Sequence, residues 1–126
     1  MKQLLLALLL CCGWSVGAQA QTTPPTVGLD LAKFSWTWTP AANESATTFR
    51  LYCGSATGSY STKFDTGDTN NLSCLVNAVV TAPGLYFCAA STFSAASNLE
   101  SKKSNEVSFR AVSSPTSPTG FTLIPQ

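Results

Sequence analysis

Six consecutive residues constrain the fold more than any other stretch: Phe34-Ser35-Trp36-Thr37-Trp38-Thr39 alternates strictly between aromatic and hydroxyl side chains. A helix would scatter these aromatics around its circumference. An extended strand puts all three on one face and all three hydroxyls on the other. The pattern therefore predicts a half-buried antiparallel strand with Phe34, Trp36 and Trp38 turned into a core. Pro40 ends it.

The same period recurs downstream. Thr48 to Cys53 sends Phe49, Leu51 and Cys53 to one side and Arg50 and Tyr52 to the other, and Gly54-Ser55-Ala56-Thr57-Gly58 then reads as a turn. Further short runs follow at Tyr60 to Asp65, Leu72 to Val76, Leu85 to Thr92 and Glu106 to Val112, with a weak one near Val27 to Leu31. Gly67-Asp68, Asn70-Asn71, Pro83-Gly84 and a polar stretch from Ser94 to Ser104 separate them. No segment carries a helical period. Seven short strands spaced by turns predict an all-β, seven-stranded antiparallel sandwich.

The N-terminus reads as a separate unit. Met1-Lys2-Gln3 is a short basic start, Leu4 to Leu10 is a Leu/Ala run, and Ala18-Gln19-Ala20 has the small-x-small pattern of a signal-peptide cleavage site. Residues 1–20 are accordingly expected to be a signal peptide. The apolar run is short of the roughly 20 residues a membrane-spanning helix needs, so no span is expected after cleavage, although a retained anchor stays open. With residues 1–20 removed, the remaining basic and acidic side chains balance. Residues 24–112 then form the domain, and 113–126, with Pro115, Pro118 and Pro125 among Ser and Thr, form an extended tail. Phe121-Thr122-Leu123-Ile124 is an apolar patch within that tail.

Composition narrows the chemistry. The chain has 126 residues and no histidine. Histidine-dependent nucleophile pairs and imidazole zinc sites are therefore excluded. A formal net charge of +1 offers no basic stripe for nucleic acid. Cys53, Cys74 and Cys88 match no zinc spacing, and the Asp65/Asp68 turn has too few oxygens for calcium. No metal, cofactor or catalytic constellation is expected, and the chain reads as a non-enzyme.

Four pieces in register carry a family resemblance: Trp38-Thr39-Pro40, Phe49-Arg50-Leu51-Tyr52-Cys53-Gly54 with Gly58-Ser59-Tyr60, Pro83-Gly84-Leu85-Tyr86-Phe87, and Ser104-Asn105-Glu106-Val107. Together, over roughly Thr26 to Val112, they resemble a fibronectin type III domain of the bacterial type. That resemblance implies an immunoglobulin-like sandwich with Phe34, Trp36, Trp38, Leu51, Tyr86 and Val107 in its core. It also implies that Tyr86 buries its ring after the Pro83-Gly84 corner and returns its hydroxyl to upstream backbone. On the same template Cys74 and Cys88 point inward from opposing sheets, which pairs them and leaves Cys53 a buried thiol. Cys53 with Cys88, on neighbouring strands, is the alternative.

The implied function is a non-catalytic binding or adhesion module, secreted, periplasmic or at the cell surface, whose partner is a protein or polysaccharide of the cell envelope. A carbohydrate-binding accessory protein and a structural or assembly subunit are the rivals. Arg50, Tyr52 and Phe87 are the candidate ligand contacts, because alternation turns all three outward on neighbouring strands. The loops Ala41 to Thr47 and Phe93 to Ser104, brought to one end of the sandwich, are the alternative site.

Overall fold

The computed structural model describes residues 23–126. The signal-peptide reading, with Cys11 and Cys12, lies outside them. Among the described residues the chain is nearly all β. It contains β1 (Thr26–Gly28), β2 (Lys33–Ser35), β3 (Thr48–Gly54), β4 (Thr62–Asp65), β5 (Ser73–Leu75), β6 (Gly84–Ser94), β7 (Leu99–Glu100) and β8 (Val107–Val112), with one 3-10 turn at Val76–Ala78. The larger sheet runs β1-β8-β6-β3-β4, with β7 also on β6, and β2 and β5 form a second, two-stranded sheet. Every pairing is antiparallel except β1 with β8.

The two sheets face each other because period-two patterning gives each an apolar side. Leu51, Cys53, Cys88, Phe109 and Ala111 supply the larger sheet's inner face. Phe34 of β2 and Cys74 of β5 pack onto it, and Phe34 meets Phe109 edge to face at 5.6 Å. Val76, Val79 and Val80, carried by the 3-10 turn, close the remaining space. Burial of a side chain such as Leu51 or Phe49 contributes on the order of 1.5–3 kcal/mol.

Three expectations about the core are corrected. The disulfide joins Cys53 to Cys88, with Cα atoms 4.2 Å apart, and Cys74 is a free thiol. Register is the reason: Cys53 lies directly opposite Cys88 on paired strands, whereas Cys74 is paired to Phe34 in the other sheet. Burial pushes the Cys74 thiol pKa up, which keeps it in its unreactive protonated form. Val107 is no core residue, being 45% exposed. It lies opposite Cys88 on β8, at the rim of a cleft that no side chain of the second sheet fills. The aromatic strand is also shorter than its pattern. The ladder to β5 covers Lys33–Ser35, one further bond joins Trp36 N–H to the Leu72 carbonyl, and Trp38 continues as unpaired extended chain. Phe34 and Trp36 are half-buried against the core, and Trp38 is half-buried, edge-on to Phe49 at 5.2 Å.

Tyr86 is half-buried against the core, and its hydroxyl donates to the Ala82 carbonyl at 2.6 Å. The Gly54 turn needs its glycine, since a Cβ there would sit 1.8 Å from the Ser59 carbonyl oxygen.

The segment read as a polar loop, Ser94 to Ser104, contains β7. Between the pairs Phe93/Glu100 and Cys88/Val107, β6 advances five residues while the returning chain advances seven. Two extra residues therefore form a bulge. Its broken ladder is repaired by two serines. Ser101 accepts from Thr92 N–H through its hydroxyl and donates its own N–H to the Thr92 carbonyl, and Ser104 does the same for Ala90.

Candidate functional site

The predicted contacts Arg50, Tyr52 and Phe87 do share the outer face of the larger sheet. Arg50 lies opposite Ser91 and Tyr52 opposite Ala89, while Phe87, half-buried, sits one diagonal step from Tyr52, opposite Gly54. The first two are not free to meet a ligand. Arg50 pairs with Asp65 at 3.1 Å and Glu100 at 2.9 Å, and its guanidinium lies over the Phe93 ring at 3.6 Å. Tyr52 donates its hydroxyl to Glu100 at 2.5 Å, and the Lys103 ammonium covers its ring at 4.3 Å. Ser91, buried, donates to the same carboxylate at 2.6 Å.

Glu100 is therefore the organising charge of this face. Burial alone would raise its pKa. Hydrogen bonds from Ser91, Tyr52 and Arg50, with the guanidinium charge, outweigh that effect and lower it to about 2. Burial and the Glu100 bond together raise the Tyr52 phenol. Alternation could not reveal Glu100, because it lies in a stretch whose composition reads as loop. The available signal was Arg50 itself, an outward guanidinium in mid-strand that required an acid. A second carboxylate, Glu106, accepts from Tyr60 at 2.6 Å and Gly58 N–H at 2.9 Å, fastening the turn after β3 to the start of β8.

At one end of the sandwich the geometry is more open. The loops 41–47 and 93–104 are stapled together: Thr47 N–H donates to the Phe93 carbonyl at 2.7 Å, Ala95 N–H to Thr47 Oγ1 at 2.8 Å, and the hydroxyls of Ser45 and Ser94 lie 3.2 Å apart. Asn43 and Asn98 take positive φ, 65° and 55°, one in each loop. Asparagine tolerates that conformation better than most residues. Glu44 caps its own loop by accepting from Ala41 N–H at 3.1 Å.

Beside these loops lies a cleft of about 330 Å³ lined by Trp36, Trp38, Phe49, Glu44, Lys102 and hydroxyl residues including Thr37, Thr92 and Ser101. A second cleft of about 430 Å³ adjoins it, sharing Trp36, Thr37, Ala90 and Ser104 and extending past Phe34 and Leu51 to Asn105 and Val107. The bulge creates this groove by carrying residues 101–106 through Lys102 and Lys103, one lining the cleft and the other covering Tyr52. Trp36 and Trp38 both meet Phe49 edge to face at 5.2 Å. The indole N–H of Trp36 is buried with no acceptor. These tryptophans, predicted as core, are walls of the groove as well.

Among the described residues no three His, Cys, Asp or Glu side chains converge as a metal site would require. No family model, curated protein or solved structure matches the chain.

Proposed function

We propose that this chain is a secreted or periplasmic, non-catalytic binding module of the fibronectin type III kind, and that it engages an envelope partner through the groove at its loop end. Strand order supports the fold reading. A pair corresponding to B and E faces a sheet corresponding to C′, C, F and G when β2-β5 is set against β4-β3-β6-β8. A disulfide is suited to an oxidising compartment. Among the described residues, no helix is long and apolar enough to cross a membrane.

One observation carries the functional reading: a groove walled by half-buried tryptophans takes Glu44 of one loop and Ser101, Lys102 and Ser104 of the other into its lining, while the outer-face residues Arg50 and Tyr52 are consumed by Glu100. A preformed groove with aromatic walls and a few polar groups is the usual form of a ligand site. The test is retention of envelope polysaccharide and protein fractions on immobilised protein. Retention should be lost in W38A and kept in a Y52S/F87S double variant. The reverse result moves the site to the outer face and refutes the groove.

A second reading, a subunit that assembles through its tail, is favoured by Phe121, Leu123 and Ile124, which are 97%, 89% and 77% exposed. It requires self-association that a chain truncated after Ser117 lacks, measured by light scattering.

A further inference from the structure

Resting on the groove as the binding site, we propose that its ligand is an uncharged saccharide. The lining carries one acid and one base, Glu44 and Lys102, and Glu44 is already turned back to cap its own loop. A charged ligand would find no cluster of opposite sign, so the wall complements a neutral molecule.

The rest of the lining divides between hydroxyl or amide groups and aromatic or aliphatic side chains. Thr37 and Asn105 offer groups that both donate and accept, as a polyol demands, while the Ser101 and Ser104 hydroxyls, already donating to the Lys102 and Asn105 carbonyls, present a remaining acceptor lone pair. Trp36 and Trp38 are half-buried and border the open cleft. A pyranose ring matches that division, because its C–H faces are apolar and pack on an indole, while its edges carry hydroxyls. Two adjoining clefts that share Trp36 and Ser104 make an elongated groove, which fits a short run of linked sugars better than one compact molecule.

Position also supplies a readout. The chain holds three tryptophans, and Trp36 and Trp38 are the two within the described residues. With Trp14 replaced by Phe, emission from the full chain reports the groove alone. The probes are cello-, chito- and xylo-pentaose, each titrated against W14F protein, with sedimentation on insoluble cellulose, chitin and peptidoglycan beside them. A saturable change in emission is expected with at least one neutral pentaose. Affinity should fall at least tenfold in W38A and about threefold in N105A, and raising the salt concentration from low to high should change it less than threefold. N105A, at an exposed position, keeps the test valid should W38A fail to fold by circular dichroism. Binding only of polyanionic glycans, abolished by K102Q, overturns the proposal. So does the absence of any response to neutral glycans while W38A-sensitive retention of an envelope protein persists; in that outcome the groove remains the site and its ligand is a peptide. Loss of W38A sensitivity altogether overturns the groove reading itself.

Discussion

Removing the β3–β6 cross-link with C53A/C88A is the sharpest perturbation of the fold. The bond spans a sequence separation of 35. In the chain-entropy model, closing a loop of that length removes about 13 cal/mol/K from the unfolded ensemble, or about 4 kcal/mol at 25 °C. Both cysteines are buried, at 0% and 3% exposure. Their deletion adds on the order of 1–2 kcal/mol for lost packing. A domain of this size is stable by about 5–15 kcal/mol, so the double variant should stand near the edge of folding at room temperature. Urea unfolding followed by tryptophan emission measures the loss, with m-values compared to verify a common denatured state. C74A is the control, and its half-buried thiol should cost no more than about 1 kcal/mol. Alkylation before reduction should label Cys74 alone among the three domain cysteines. A peptide map linking Cys74 to Cys88, or a C74A loss of about 4 kcal/mol beside a small C53A/C88A loss, would refute the register on which the reasoning rests.

Two further outcomes follow from individual groups. The Glu100 carboxyl is held below its ordinary value at about 2, so its contribution is fully present above pH about 4.5 and fades as pH falls toward 2. E100Q should therefore lower stability at pH 7 by about 1–2 kcal/mol, discounted for partial exposure, and the gap to wild type should shrink through that acid window in parallel urea titrations. A gap that is constant with pH would show that packing, not charge, holds this face. Y86F removes the donor to the Ala82 carbonyl and should cost about 1 kcal/mol in the same assay, with an unchanged near-ultraviolet spectrum. A cost near zero would mean that water replaces the bond at no loss.

Alternation made the inner faces legible because it reports directly on which side chains need burial. Leu51 and Phe49 could be assigned from their spacing alone. Alternation does not report register, and register decided the disulfide: Cys53, Cys74 and Cys88 all point inward, and only the pairing of β3 with β6 selects among them. The same limit explains Val107. Its side chain faces the correct way, yet a two-residue bulge immediately before it opens the space that a second-sheet side chain would otherwise fill. The groove was hidden for a related reason. Trp36 and Trp38 have the pattern of core residues, and what makes them walls is the departure of residues 101–106 from the ladder, in a stretch whose Ser, Lys and Asn composition carries no strand signal. Ser101 and Ser104 replace the lost ladder bonds with their hydroxyls, a role no propensity scale assigns to them.

The parallel pairing of β1 with β8 has a mechanical consequence. Thr26 enters the domain beside Arg110, and the chain leaves at Val112 beside Gly28, where Ser114 is tied to Asp30. Entry and exit are therefore neighbours on one pole, and β6 runs about 35 Å from that pole to the stapled loops at Ser94, with the groove over its stretch from Cys88 to Thr92. Tension applied between Thr26 and Val112 loads the β1–β8 edge directly. Because the two strands are parallel and gripped at opposite ends, that load shears three residue pairs before it reaches the cross-linked β3–β6 centre, and Val107, at the far end of β8, carries it to the rim of the groove.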